Sequence, residues 1–332
     1  RWFELTIMAR IMGDDRFFDI KASLGMESLR ADVERYGLDN ELTCLLPPLE
    51  GIDPDDSFSS VPYERGMNLL LYLQRKVGKE PFLRFFLAYV EEFASKTVHT
   101  AAFQAFFAEH FPAEAETVEW NLWFLAPGMP PVELQFDLTL VEPVKALAKA
   151  WIKASDDKKG RTVVKPALAA DYLGWPSLQQ QLFLQELFDK GKVLSIAALD
   201  AIEEAYKLDT QKNSEIRFKW IKLCLRAGRA AIMSNACEMA ITQGRMKFVR
   251  PLYRFLVTCP IAGASRAARS LFEANKDVYH PICRKMVAND LAKTEVGDAD
   301  VDVDGAPPKR SMATRVFFGA GVVVALAVAS FW

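Results

Sequence analysis

The stretch Glu80–Phe93, EPFLRFFLAYVEEF, decides the fold class. Phe82, Phe85, Phe86, Tyr89, Val90 and Phe93 recur at three- and four-residue intervals, the period of one helix face. Glu64–Lys76 before it, and Ala101–Phe111 and Glu114–Phe124 after it, carry the same spacing. Alternation of period two, the mark of a half-buried strand, is nearly absent, and Val132–Leu140 is the main candidate for extended chain. The sequence therefore predicts an all-α protein.

Pro127-Gly128-Met129-Pro130-Pro131 interrupts the helical pattern, because adjacent prolines cannot sit inside a helix and push the preceding residue out of the α region. We place a linker at residues 127–137, between a first domain (1–126) and a second (138–293). Helix-length segments continue beyond it: Val141–Ala154, Ser177–Asp189, Ile196–Tyr206, Glu215–Ala227, Ala230–Gln243, Lys247–Thr258, Ser265–Asn275 and Pro281–Ala292. Ser177 with Gln180 fits a capping box. Short helices on short connections predict antiparallel pairs stacked as an armadillo- or HEAT-like α-solenoid, although no clean sequence repeat is present.

A net charge of −2 and 25% charged residues give no basic stripe of the kind nucleic acid requires. Cys44, Cys224, Cys237, Cys259 and Cys283 show no C-x-x-C spacing, which predicts buried, reduced thiols and a cytoplasmic setting. Residues 294–315 read as a tether, acidic through EVGDADVDVD (295–304) and then basic at Lys309, Arg310 and Arg315. Val316–Trp332 carries no charge and sits at the short limit for a transmembrane helix, so a C-terminal membrane anchor is expected there.

Several residues suit chemistry. Tyr63 follows Ser59-Ser60 and Pro62 and begins an apolar helical run, so its hydroxyl can donate into a cleft or simply pack at a helix start. Arg245 and Lys247 are spaced by two, sharing a face only in extended chain, and Gly244 permits the break that would align them as a carboxylate clamp; a solvated basic loop is the other reading. Asp53 and Asp55 flank Pro54 and could orient water or serve as turn formers. His99, His110 and His280 are far apart, and no H-E-x-x-H run occurs, which rules out a local metal site from these residues.

The runs IDPDDSFSSVPYERG (52–66), WNLWFLAPGMPP (120–131), NSEIRFKWIKLCL (213–225) and QGRMKFVRPLY (243–253) resemble the C-terminal half of the leukotriene A-4 hydrolase family of gluzincin zinc aminopeptidases. The resemblance spans about residues 3–292. It implies the end of a thermolysin-like catalytic domain followed by a helical domain, and zinc-dependent removal of N-terminal residues from peptides. Tyr63 falls on the tyrosine that stabilises the tetrahedral intermediate. Arg245 and Lys247 fall on the pair that holds the substrate's free carboxylate. Asp55 falls on the aspartate that directs water onto a lipid epoxide, and Phe58 stands where a lipid-pocket tyrosine is found. The family's zinc ligands lie before the point where this chain begins. With Arg1 in place of a start methionine, the chain reads as part of a larger enzyme. The alternative is a non-catalytic, membrane-tethered helical scaffold.

Overall fold

The computed structural model describes residues 1–52, 57–155, 166–190 and 193–294. Those residues are helical or irregular, with no strand among them. They fall into two units, Arg1–Glu142 and Pro143–Trp332.

In the first unit, α1 (Trp2–Met12) and α2 (Arg16–Tyr36) pack against α3 (Val61–Val77). Next come α4 (Lys79–Glu92), α5 (Thr100–His110), α6 (Pro112–Glu116) and α7 (Trp120–Phe124). Pro62 in the first turn of α3 donates no backbone N–H where none is needed, and Gly78 ends the helix at φ 91°. The α4 stripe is buried through Phe82 and Phe85. Phe85 meets Phe103, Phe106, Phe107 and Phe111 at centroid separations of 5.4–6.3 Å, tying α4 to α5. Val90, expected on that stripe, is exposed instead. The helix expected over Glu114–Phe124 is two short ones. Thr117 ends the first by donating its hydroxyl to the Glu114 carbonyl at 2.7 Å. Two longer helices, α1 and α2, precede the segments whose periodicity stood out.

Val132–Leu140 joins no ladder. Leu134 and Phe136 pack on the first unit's core, Arg75 donates to the Gln135 carbonyl at 2.6 Å, and the Asp137 N–H donates to Asp19 at 2.9 Å. This stretch belongs to the first unit and ends in a 3-10 turn, Thr139–Val141.

Arg65 organises the middle of this unit. Its side chain is fully buried and donates to five backbone carbonyls: Thr43 (3.1 Å), Leu122 (3.1 Å), Trp123 (3.3 Å), Ala126 (2.7 Å) and Gly128 (2.6 Å). Gly128 adopts φ 84° and donates its own N–H to the Thr43 hydroxyl at 2.7 Å. The proline-rich run is thereby folded back onto α3.

In the second unit, α8 (Glu142–Ser155) and the short α9 (Asp171–Gly174) precede α10 (Ser177–Asp189), α11 (Ile196–Tyr206), α12 (Ser214–Ala227), α13 (Met233–Thr242), α14 (Met246–Thr258), α15 (Ala264–Asn275) and α16 (Pro281–Ala292). Alternate helices are neighbours: α10 packs on α12, α12 on α14, and α14 on α16. The intervening α13 and α15 cover them from a second layer. Polar pins run through the apolar core. Trp151 donates to the Tyr206 hydroxyl at 2.8 Å, and Trp220 donates to Asp209 at 2.7 Å. Arg229 bridges Asp200 and Asp209 at 2.8 and 2.9 Å. The Tyr253 and Tyr279 hydroxyls lie 2.8 Å apart. Asp290 on α16 takes both Arg250 (2.6 Å) and Arg254 (2.7 Å) of α14.

Helix α10 spans the residues expected, but the capping box does not form. Pro176 occupies the cap, and the Ser177 hydroxyl accepts from Gln181 (3.1 Å) and Asn213 (3.0 Å). All five cysteines are free thiols. The expected membrane anchor, Val316–Trp332, and the tether from residue 295 lie outside the described residues. Among the described residues no helix is long and apolar enough to cross a membrane.

Two substitutions check these ties. Arg65→Met leaves five carbonyls without their donor and should cost the first unit about 3 kcal/mol or more, read from its thermal unfolding. Arg65→Lys, with three donors in place of five, should lose less. Hydrogen bonds from Arg250 and Arg254 hold the Asp290 carboxyl well below the ordinary carboxylate range, outweighing burial. A folded pKa below the unfolded one contributes stability above the unfolded pKa, and that contribution is lost as pH falls. Asp290→Asn should therefore cost about 2 kcal/mol at neutral pH, and the gap to the unsubstituted protein should narrow below about pH 4 in urea unfolding.

Candidate active site

Tyr63 lies in the first turn of α3. The residue is 52% exposed and its N–H donates to the Ser60 carbonyl at 3.1 Å. The approach to this turn is fixed from two sides. The Val61 N–H donates to the Ser59 hydroxyl at 3.2 Å, and the Ser60 N–H donates to Asp32 of α2 at 2.6 Å. Burial pushes Asp32 upward, but the Ser60 bonds and the Arg35 guanidinium outweigh it and hold the carboxyl below its ordinary value. Tyr63 borders a groove of about 430 Å³, walled by Phe86 and Tyr89 of α4, His99 and Phe103 at the start of α5, Phe124, and Arg1. The N-terminus of α3 carries the positive end of the helix dipole. A phenol there can donate to an oxygen that gains negative charge.

Next to Tyr63 stands Glu64. Its carboxylate is buried and pairs with Arg1 at 3.0 Å. Burial raises this carboxyl, and the Arg1 charge opposes the rise. Gly25 of α2 packs directly beneath it, and a Cβ there would collide with the Glu64 carboxylate. Tyr63 is thus flanked by two tightly fixed neighbours, Glu64 and Arg65. Phe58 is 73% exposed, its carbonyl 3.4 Å from the Tyr36 hydroxyl. Asp53 and Asp55 lie outside the described residues.

The second unit holds the basic pair. Gln243–Arg245 separates α13 from α14, as Gly244 suggested. Arg245 is extended at φ −82°, ψ 123° and caps α14, whereas Lys247 already lies inside the helix. The shared face expected of an extended segment is therefore not how they meet. Both stand over Phe248, at 5.9 Å for the guanidinium and 5.3 Å for the ammonium. Lys247 also pairs with Glu215 of α12 at 2.6 Å. Arg245 is exposed, and no carboxylate among the described residues pairs with it. Tyr63 lies in the first unit, and Arg245 and Lys247 in the second.

No group of three or more His, Cys, Asp or Glu among the described residues could hold a metal ion. The histidine rings have structural roles. His99 and His280 accept backbone N–H bonds from Ala102 and Ile282 at 3.2 and 3.3 Å, and His110 Nδ1 lies 2.9 Å from the Phe106 carbonyl. These residues do not fit zinc.

Sequence reasoning did not single out Glu64, Arg65, Lys219 or Lys222. The first two sit inside the motif that carries Tyr63, but the partners of their side chains are 22 or more positions distant in chain. The last two follow Glu215 at helical intervals, a signal that was readable.

The class of protein to which the two units are similar is the M1 peptidase of the leukotriene hydrolase type. The model described as "Peptidase family M1 domain" matches residues 1–123, and "Leukotriene A4 hydrolase, C-terminal" matches residues 175–291. The chain belongs to this family and corresponds to its C-terminal portion. Leukotriene A-4 hydrolase of Xenopus laevis is 36% identical over 294 residues, covering 87% of this chain and 47% of that protein. Leucine aminopeptidase 2 of Aspergillus niger is 37% identical over 298 residues, covering 87% and 46%. Native leukotriene A4 hydrolase from Saccharomyces cerevisiae superposes with a TM-score of 0.75 at 30% identity, over 88% of this chain and 48% of that one. The yeast enzyme in complex with bestatin gives 0.72 at 30% identity, over 87% and 48%. The chain spans about half the length of the curated relatives it matches.

Proposed function

We propose that this chain acts as the C-terminal portion of an aminopeptidase of the leukotriene hydrolase type, a catalytic-domain segment joined to an α-solenoid. The observation that carries the reading is the placement of Tyr63, half-exposed on an aromatic groove in the first turn of α3 and braced by Asp32 and Ser59. Its hydroxyl donates a hydrogen bond to the peptide carbonyl oxygen as that oxygen becomes an oxyanion. The bond strengthens as charge develops, so it favours the transition state over the bound substrate. Zinc would have to be held by residues other than those described, and none of these roles runs through it.

Arg245 and Lys247 hold the substrate's terminal carboxylate. A guanidinium offers paired donors and an ammonium a point charge, and Phe248 beneath them limits hydration on one side. Glu215 competes for Lys247, which leaves Arg245 the stronger partner for an incoming carboxylate. A lipid epoxide bearing a free carboxylate would use the same pair.

In an enzyme form that includes the metal-binding half, Tyr63→Phe should lower kcat by roughly 10²–10³ with little change in KM. Unchanged turnover would remove Tyr63 from the mechanism. Arg245→Ala should weaken peptides with free carboxylates by about tenfold or more and leave carboxyl-amidated peptides nearly unaffected. Equal losses on both would count against the clamp.

A further inference from the structure

The side of α12 that carries Glu215 also carries Lys219, Lys222 and Arg226, at helical intervals of four, three and four. Helices α10 and α14 flank it. The four charges are not treated alike. Glu215 holds Lys247. Arg226 donates to the Phe188 carbonyl at 2.7 Å, at the end of α10. Lys219 Nζ reaches the neutral Gln185 Oε1 at 2.6 Å, while the amide of that same glutamine occupies both oxygens of Asp189 at 2.7 and 2.8 Å. Lys222 Nζ stands 4.3 Å from the Phe188 ring centre and 5.4 Å from those of Phe218 and Phe255. Among the described residues no carboxylate forms an ion pair with Lys219 or Lys222.

Two half-buried ammonium groups one helical turn apart, with no counter-ion, are unfavourable unless something negative joins them. Their chemistry registers this. Burial, then the Lys222 charge, brings Lys219 down to about 8; Lys247 adds to the fall, while Glu215 and Asp189 oppose it. Burial and Arg226 lower Lys222 as well, against Asp189. Lys219 lies one turn along α12 from the glutamate that holds Lys247, so the two ammonium groups continue the basic edge that Arg245 and Lys247 begin. The rings around Lys222 exclude water from one side, which strengthens pairing with an anion.

We propose that Lys219 and Lys222 form a second carboxylate subsite beside the Arg245–Lys247 clamp, selecting peptides that carry an acidic side chain at or next to their C-terminus. The inference rests on the clamp reading given under Proposed function. One charge-assisted hydrogen bond to a partly desolvated ammonium corresponds to about a tenfold gain in affinity.

The test is an NMR titration of the 332-residue chain at low salt with Ala-Ala-Glu, Ala-Ala-Gln and carboxyl-amidated Ala-Ala-Glu. The expected result is about tenfold tighter binding of the Glu peptide than of the Gln peptide. Lys219→Gln with Lys222→Gln should abolish that preference and leave the Gln peptide's affinity unchanged, and Lys219→Arg with Lys222→Arg should keep it. Equal affinity for the two peptides in the unsubstituted chain overturns the subsite and needs no variant to fold. A preference that survives the double glutamine substitution overturns it too. The clamp is judged separately, by whether amidation weakens binding, so failure of one reading is distinguishable from failure of the other.

Discussion

Everything near Tyr63 depends on a cation buried without a counter-ion. Burying a guanidinium costs several kcal/mol, and an acidic partner is the usual compensation. Arg65 has five carbonyls instead, one for each N–H donor, so every donor of the planar fork is used. Burial still lowers its pKa. Carbonyl dipoles can be supplied only by backbone folded to the right curvature. The Thr43 turn and the loop from Leu122 to Gly128 must therefore close around α3, and the left-handed Gly128 is part of that closure. Arg65 follows Tyr63 by two residues, so the same ring of carbonyls fixes the helix turn that presents the phenol.

Glu64 anchors the same turn through other partners. Its contact with Gly25 and its pairing with Arg1 bring α1 and α2 against the start of α3. Asp32 holds the Ser60 N–H from further along α2. Tyr63 is thus bracketed by anchors before and after it while its own ring stays half open. Pre-organisation of this kind lets a hydroxyl donate to a developing charge without paying for reorientation at the moment of reaction.

The sequence carried much of the helix plan. Ile196–Tyr206 and Pro281–Ala292 are helices at the limits their periodicity suggests, and the Gln243–Arg245 break follows Gly244. What was hidden depends on contacts remote in chain. Ser177 heads a helix with Gln180 at capping-box spacing, yet Asn213 takes its hydroxyl, and no local rule contains Asn213. Thr117 divides a periodic run because a hydroxyl can compete for a helix carbonyl. Val132–Leu140 alternates like a strand, but no second strand exists among the described residues, and it packs as irregular chain. For the site, the motif around Tyr63 was legible as chemistry, whereas the carbonyl cage was not. The local residues of Arg65 give no hint that its partners lie at Thr43 and beyond Leu122. Arg245 and Lys247 were legible as a pair, but their meeting point was not, because it depends on the Phe248 ring rather than on strand geometry.

The layer α10–α12–α14–α16 handles its cations in two ways. Between α14 and α16, Arg250 and Arg254 converge on the nearly buried Asp290, and the charges are settled within the fold. Between α10 and α12, an aspartate is also at hand, but Gln185 occupies Asp189, and the neighbouring lysines have only a glutamine and phenyl rings. A fold gains nothing by half-burying ammonium groups without a counter-ion, since that arrangement costs stability wherever it occurs. One part of the layer neutralises its charges and the adjacent part leaves them over aromatic rings, which is the contrast the proposed carboxylate subsite rests on. Arg245 is a different case: it is exposed at the start of α14, so water solvates its charge and its lack of a carboxylate partner among the described residues costs the fold nothing.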